Sequence, residues 1–263
     1  MSRTPAAILA LSTLAACASL GGHEQASAPT GEQAANAPRV DREARARITR
    51  EDMLTQMAFW AAEHETFPND LEAAQRFAEA LRKGGRAERA AQIAAASVQR
   101  FPEDKQLLMT LGLANLGAGH PQDALRPLAL VAHADPRDWR SRSALGAALD
   151  QLGRFPEARQ AYQEALAIDP NNAEALTNLG VSHILAREPE EAEAVLRRAV
   201  DQPGAPVQAR QNLAVALALQ GRFDEAEQIV RIDLPPRLVA ENMSYLRSLL
   251  SDPRRWGDVG VRQ

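Results

Sequence analysis

The sequence predicts an all-α protein built as a solenoid of antiparallel helix pairs, and three periodic series of residues support this prediction. Prolines recur every 34 residues, at Pro68, Pro102, Pro136 and Pro170. Glycines follow the same period at Gly85, Gly119, Gly153 and Gly221, with Arg187 in the remaining place. Alanines do so at Ala90, Ala124, Ala158, Ala192 and Ala226. Because three registers share one period, the chain is expected to stack repeats that bury their apolar faces against one another.

The segment 139–172 is the most regular copy of the repeat. Its ordered residues are Leu145-Gly146, Ala158, Tyr162, Ala165 and Pro170. This order and the 34-residue length resemble the tetratricopeptide repeat (TPR), in which each unit is a pair of helices. The resemblance implies a right-handed superhelix of antiparallel helix pairs with a capping helix at each end.

Small residues are expected where the two helices of a repeat approach closely, and large residues where they interlock. The small positions predicted for repeat packing are Gly112, Gly146 and Gly180 in first helices, and Ala124, Ala158, Ala192 and Ala226 in second helices. Leu128, Tyr162 and Leu196 are large residues of the second helices. The other glycine series falls between the helices, where a residue with positive φ can end the first helix. The periodic prolines then stop the second helix.

About five repeats are predicted over residues 71–234, with irregular repeats at both ends. The first has Ala78 and Ala94 where others have glycine and a large residue, and the fifth is expected to have a short second helix. Residues 41–70 are predicted to form a single capping helix that starts at a capping box, Thr49 to Asp52. Its Met53, Met57 and Trp60 are expected in the core, with a ligand groove as the alternative.

The two ends of the chain carry different signals. Residues 235–250 are predicted to form a C-terminal capping helix, followed by a polar tail over 251–263. Residues 1–16 have the charge and apolar run of a signal peptide. Leu14-Ala15-Ala16-Cys17 resembles the lipobox of bacterial lipoproteins, which implies acylation of Cys17; an ordinary secretory signal is the alternative. Residues 17–40 are predicted to be a lipidated, disordered tether.

The residue after the lipidated cysteine is Ala18. Under the rule for Gram-negative lipoproteins, this implies transfer to the outer membrane, with the protein facing the periplasm. Acyl chains at Cys17 would supply the membrane contact.

Composition and motifs argue against several functional classes. The net charge is −4, so no basic face for nucleic acid is expected. The five histidines are scattered, and none belongs to a zinc-protease motif; phosphate-binding glycine-rich loops are missing from the sequence. We therefore expect no metal, no cofactor, no small-molecule substrate and no catalysis.

The resemblance to TPR proteins implies a groove for a partner protein along the first helices of the repeats. The candidate residues are Met109, Leu113, Leu116, Arg140, Thr177, Asn178, Val181, Ile184, Gln211 and Asn212. Their mixed character suits an amphipathic helix or an extended tail. Asn178 and Asn212 occupy the same position in successive repeats and are similar to asparagines that clamp a peptide backbone or carboxylate, although the accompanying lysines are missing. Alternatively, the C-terminal helix or the curvature of the solenoid covers them.

The end of the repeat region gives a finer resemblance. Asp233-Leu234-Pro235 and Asn242-x-x-Tyr245-Leu246-Arg247, together with the lipobox and the repeats, resemble the TadD family of TPR lipoproteins in tight-adherence (Flp) pilus systems. The resemblance implies a pilotin-like role, in which the protein binds the outer-membrane secretin of the pilus machine and assists its assembly. The alternative is a general periplasmic scaffold that organises cell-envelope complexes.

Overall fold

A computed structural model describes residues 40–250, and the side chains of residues 249 and 250 are outside the description. The predicted signal peptide, Cys17, the tether up to residue 39 and the tail over 251–263 all lie outside the described residues. Within residues 40–250 the structure has 13 helices and no strand. The helices are α1 (Arg42–Ile48), α2 (Met53–Thr66), α3 (Leu71–Lys83), α4 (Ala87–Val98), α5 (Lys105–Gly117), α6 (Pro121–Ala134), α7 (Trp139–Gln151), α8 (Phe155–Ile168), α9 (Ala173–Leu185), α10 (Pro189–Val200), α11 (Val207–Leu219), α12 (Phe223–Val230) and α13 (Pro236–Leu250).

The helices pack in sequence order, as expected for a solenoid. The five repeats are the pairs α3–α4, α5–α6, α7–α8, α9–α10 and α11–α12, and each helix contacts the next one along the chain. The first helices α3, α5, α7, α9 and α11 also contact one another in succession. Because the first helices form a continuous row, they supply one surface that runs across all the repeats. The predicted all-α TPR solenoid is confirmed.

The periodic residues between helices have the conformations that the sequence predicts. Gly85, Gly119, Gly153 and Gly221 have φ angles from +71° to +78°, and Arg187 has φ +64° at the place where the series lacks glycine. A side chain is strained in this left-handed region, which explains the preference for glycine. The polar residues two positions after the periodic prolines cap the first helices: Asp70, Asp104, Asp138 and Asn172 each accept a hydrogen bond from a backbone N–H of the first turn.

Each repeat also contains a size-matched pair of residues between its two helices. A Cβ atom on Gly146 would lie 2.6 Å from Cε1 of Tyr162, and Gly112 and Gly180 face Leu128 and Leu196 in the same way. The glycine therefore leaves room for the large side chain of its own second helix, rather than for the periodic alanine. The first repeat has Ala78 and Ala94 at the equivalent positions, and the fifth has Ala214 and Val230. In both repeats alanine replaces the glycine of the first helix, and a residue smaller than leucine or tyrosine stands opposite it in the second helix.

The amino-terminal end differs from the prediction, because residues 41–70 form two helices rather than one. Thr49 ends α1, where its hydroxyl donates to the carbonyl of Ala46, and Asp52 is the N-cap of α2. The predicted start of a single helix at Thr49 is therefore wrong. Asp52 is the better N-cap because its carboxylate accepts from the backbone N–H groups of both Leu54 and Thr55.

Arg45 of α1 joins the two amino-terminal helices to the first repeat. Its guanidinium contacts Glu63, donates to Asp70 at 2.8 Å and donates to Glu72 at 3.1 Å. The side chain is buried and also lies 5.7 Å from the ring centroid of Trp60. Hydrogen bonds to these carboxylates, with Asp70 making the largest contribution, raise the pKa of Arg45 above its ordinary value. The three carboxylates thereby offset the cost of burying this cation.

At the other end, α13 closes the apolar core of the fifth repeat. The second helix of that repeat, α12, has 8 residues and is short, as the sequence predicts. Val239 and Met243 of α13 are buried in the same cluster as Leu213 and Leu217 of α11. The segment before α13 is held by Arg210, whose guanidinium donates to both carboxylate oxygens of Asp233 at 2.6 and 2.7 Å.

Candidate functional site

The row of first helices presents a surface that we call the groove. We number each first helix from its first residue, which is Lys105, Trp139, Ala173 or Val207. The groove then consists of positions two, five, six, nine and twelve of α5, α7, α9 and α11. Successive first helices are in contact, and the constant repeat length places the same position on the same face of each helix.

Two rows of the groove have opposite chemical character. Position two is exposed and polar in every one of these helices, with Gln106, Arg140, Glu174 and Gln208. Position nine is half-buried and apolar, with Leu113, Ala147, Val181 and Val215. The second row is an apolar strip that continues across four repeats. A strip of this kind beside a polar edge suits an amphipathic segment of another protein.

The structure places the ten predicted groove residues in different environments. Arg140 and Gln211 are exposed, and Asn178, Val181 and Asn212 are half-buried. Met109, Leu113 and Leu116 also retain some exposure, but they pack against the buried cluster around Leu128 and Ala148. The prediction for Ile184 requires correction: this side chain is 9% exposed and packs in the core with Leu196 and Leu217. Position twelve is therefore not uniformly open: Leu116 retains some exposure, whereas Ile184 is buried.

Thr177 and Asn178 form hydrogen bonds within the protein. The hydroxyl of Thr177 donates to the carbonyl of Ala173 at 2.6 Å, and at 5% exposure this predicted groove residue is buried, as Ile184 is. The Asn178 amide Nδ2 donates to the hydroxyl of Ser143 on α7 at 3.0 Å. This bond connects the third and fourth repeats. The Nδ2 atom of Asn178 is therefore engaged, while its Oδ1 atom accepts no hydrogen bond from any residue within 40–250.

A cavity of about 500 Å³ opens where α9 and α11 begin. Its lining comprises Asn172, Ala173, Glu174, Thr177, Asn178, Gly204, Pro206 and Gln208. The segment before α11 departs from the repeat here. Gly204 has φ +74° and stands 34 residues after Pro170, and Pro206 stands 34 residues after the helix cap Asn172. Glu174 and Gln208 are site residues that the sequence prediction did not include, although both share position two with Arg140.

A buried polar cluster between the third and fourth repeats was also missed. Asp150 accepts a hydrogen bond from the Tyr162 hydroxyl at 2.9 Å and from the Ser182 hydroxyl at 2.7 Å. The equivalent positions of the neighbouring repeats are apolar: Leu116, Leu128 and Ala148 on one side, and Ile184, Leu196 and Ala216 on the other.

Burial determines the ionisation of this cluster. It raises the pKa of Asp150 above its ordinary value, despite the two hydroxyl donors and the nearby guanidinium of Arg159. Burial, together with the nearby Asp150 carboxyl, also raises the pKa of the Tyr162 hydroxyl. The cluster thus joins two repeats through one carboxyl group that is costly to ionise.

Membrane-spanning helices and clusters of metal ligands are both absent from residues 40–250. None of the helices within residues 40–250 is both long enough and apolar enough to cross a bilayer. The described part of the chain also lacks any group of three or more histidine, cysteine or acidic side chains arranged to hold a metal ion.

Comparison with known proteins identifies the repeats. The family models described as "TPR repeat" and "Tetratricopeptide repeat" match residues 135–184 and residues 76–138 and 177–232, respectively. None of the curated proteins matches the chain.

Several solved structures are similar to this one. A thermophilic TPR protein of Thermus thermophilus is 21% identical, with a TM-score of 0.59 over 68% of this chain and 99% of that one. MamA of strain MSR-1 is 26% identical, with a TM-score of 0.51 over 60% and 90% of the two chains. MamA of Desulfovibrio magneticus RS-1 is 20% identical, with a TM-score of 0.54 and the same coverage.

Proposed function

Because this chain is a tetratricopeptide repeat protein, with matches over residues 76–232, we propose that it is a non-enzymatic scaffold whose groove binds a segment of a partner protein. TPR proteins are in general protein-binding scaffolds. The observation that carries the proposal is the half-buried apolar strip of Leu113, Ala147, Val181 and Val215 beside the exposed polar row at position two. Its residues retain exposed apolar surface that a bound segment would cover.

The geometry favours an elongated segment over a compact ligand. The strip crosses four repeats, so an amphipathic helix or an extended tail can contact several first helices at once. Apolar contacts along the strip supply affinity, and the polar row provides hydrogen-bond partners that fix the direction of the segment. The groove has no cluster of metal-binding side chains in its described residues.

We further propose which protein binds in the groove and where in the cell the chain is anchored. The TPR region is shared by proteins of many functions, so the partner is inferred from the lipobox at Cys17 and from the segment containing Asp233-Leu234-Pro235 and Tyr245-Leu246-Arg247. These resemble the TadD family of Flp pilus systems. The protein is then a pilotin-like assembly factor: the groove binds the outer-membrane secretin, and acylated Cys17 anchors the protein in that membrane on the periplasmic side.

The secretin multimer provides the direct test. The amount of detergent-resistant secretin in outer membranes is compared with and without this gene, with an unrelated outer-membrane oligomer as the control. We expect only the secretin multimer to fall when the gene is deleted. A fall in both oligomers would favour a general envelope scaffold, and no change in either would refute the pilotin role.

The groove itself is tested with matched substitutions. Val181→Asp places a charge in the apolar strip, whereas Ala167→Asp places the same charge on an exposed position of α8. We expect Val181→Asp to reduce co-purification of the secretin at least tenfold and Ala167→Asp to leave it unchanged. Val215→Asp tests the same strip one repeat later, and circular dichroism establishes that each variant is folded. Equal binding by all the folded variants would contradict the groove assignment.

A further inference from the structure

The C-terminal helix α13 lies where the first helix of a sixth repeat would lie. It contacts α11 and α12, just as α11 contacts α9 and α10. Its inward-facing residues follow those of α11 by 30 residues: Val239, Met243 and Leu246 correspond to Ala209, Leu213 and Ala216. This interval is four residues shorter than the 34-residue period, and α12, with 8 residues, is four residues shorter than α10, with 12. The short second helix therefore accounts for the shift.

The correspondence assigns groove positions to α13. Counting from Arg237 as position one, Leu238 takes position two, Asn242 position six and Tyr245 position nine. Because a helix turns by about 100° per residue, these three residues lie along one flank of α13, on the side of the groove. We call Leu238, Asn242 and Tyr245 the α13 flank. Its Tyr245 extends the apolar strip by one helix beyond Val215.

The α13 flank makes the end of the groove more apolar than the rest. Leu238 and Tyr245 are 44% and 46% exposed. Position two is polar in the four preceding first helices, whereas α13 has leucine there: the polar residues are Gln106, Arg140, Glu174 and Gln208. Positions two and nine are thus both apolar in α13 alone among these five helices. The apolar surface is widest at this end.

The opposite, outer face of α13 is polar, which identifies what covers the flank. Its exposed residues are Arg237, Glu241, Ser244 and Ser248. Arg237 donates to Glu241 at 2.9 Å on this face. A polar outer face is what the last helix of a solenoid needs in order to end the stack. A second copy stacked on the end would cover this polar face, whereas a segment lying in the groove would cover Leu238 and Tyr245.

We propose that the α13 flank is the end of the groove and binds a large apolar side chain of the partner segment. This inference rests on the proposed peptide-binding function and adds to it a residue that determines specificity. A leucine, isoleucine or phenylalanine of the segment packs against Leu238, Tyr245 and Val215, and all four side chains lose contact with water. The amide of Asn242 is a donor and an acceptor for the backbone of the same residue. The wide apolar end thereby fixes the register of the segment.

The first test compares two leucines of equal exposure. Leu238→Ser removes an apolar side chain from the α13 flank, and Leu130→Ser removes one that is also 44% exposed from the second helix α6. We expect Leu238→Ser and Tyr245→Ser to reduce co-purification of the secretin at least fivefold. Leu130→Ser should leave it unchanged, and Tyr245→Phe, which keeps the ring, should retain binding. Unchanged binding by Leu238→Ser and Tyr245→Ser, with folding established by circular dichroism, would overturn the proposal.

A second test identifies the occupant directly. The photo-reactive residue p-benzoylphenylalanine replaces Tyr245 of the α13 flank, Val215 of the apolar strip or Ser244 of the outer face, in the full-length protein in cells. Cross-linked peptides are then identified by mass spectrometry. We expect positions 245 and 215 to label one segment of one partner that carries a large apolar residue, and position 244 not to label it.

The outcomes separate this inference from the proposed function. Labelling of one secretin segment from both positions 215 and 245 supports both proposals. Labelling of one apolar-containing segment of another envelope protein from both positions supports the α13 flank and refutes the pilotin role. Secretin labelled from position 215 alone refutes the α13 flank and leaves the pilotin role standing. Labelling from position 245 of residues 251–263 or of a second copy also overturns the proposal, because another occupant then covers the flank.

Discussion

Gly146 and Tyr162 are matched in size, so the effect of Gly146→Ala on the free energy of unfolding should depend on the residue at position 162. Adding a single methyl group in Gly146→Ala places Cβ 2.6 Å from Tyr162 Cε1, so the ring must move by about 0.8 Å to reach an ordinary contact of 3.4 Å. The ring is held at its far end by the 2.9 Å hydrogen bond from its hydroxyl to buried Asp150. It therefore cannot move without weakening that bond.

Three contributions determine the expected change in the free energy of unfolding for Gly146→Ala. Overpacking costs about 1–3 kcal/mol, and weakening a buried hydrogen bond adds about 1 kcal/mol. Alanine in place of glycine within a helix contributes about 1 kcal/mol in the opposite direction. We expect Gly146→Ala to lower the free energy of unfolding by about 1–3 kcal/mol.

In a protein that already carries Tyr162→Ala, the substitution Gly146→Ala should stabilise the fold instead of destabilising it. Removing the ring costs about 3–5 kcal/mol by itself, but it also removes the atoms that the new methyl group would strike. The double variant reproduces the Ala78 and Ala94 pair of the first repeat. In this background Gly146→Ala should raise the free energy of unfolding by about 1 kcal/mol through helix propensity.

Urea unfolding followed by far-UV circular dichroism and by tryptophan fluorescence measures the four proteins of this cycle. Trp139 begins α7, in the repeat that contains Gly146, and in a Trp60→Phe, Trp256→Phe background it is the reporter of that repeat. The two signals must be compared, because repeat arrays can unfold in parts. If Gly146→Ala destabilises the protein equally with Tyr162 and with Ala at position 162, the size-matching argument is refuted.

Three other predictions concern the anchor, the buried carboxyl and a helix cap. Cys17→Ser should preserve folding but move the protein from the outer membrane to the soluble periplasm; cell fractionation measures this, and retention in the membrane would refute the lipobox. The raised folded-state pKa of Asp150 means that its contribution to the free energy of unfolding decreases as pH rises from 3.8 through that pKa. The stability of Asp150→Asn relative to wild type should therefore increase over this range in urea titrations, and a difference independent of pH would contradict the assignment. Asp138→Ala removes the cap of α7 and should cost about 1 kcal/mol, while Asn171→Ala, at an exposed position, serves as the control; equal melting temperatures would refute the capping role.

The 34-residue period determined the fold from the sequence alone. The turn glycines, the prolines and the caps act through local backbone geometry, so their spacing predicts where each helix begins and ends. The same reasoning predicted the short helix α12. It failed at the amino terminus, where Thr49 and Asp52 are both acceptable caps: Thr49 ends α1 instead, and Asp52 caps α2.

Tertiary structure decided which of the predicted groove residues retain exposed surface. The position of a residue along a helix predicts which way its side chain points, but its exposure depends on how closely the next helix approaches. Ile184 is buried for this reason, although it has the spacing of a groove residue. The hydrogen bonds of Asn178 and Asp150 join repeats more than 30 residues apart, and the sequence contains no local signal for them. Periodicity thus determined the architecture, because it arises from short-range backbone preferences. The chemistry of the cavity depends on contacts between repeats, which exist only in the folded solenoid.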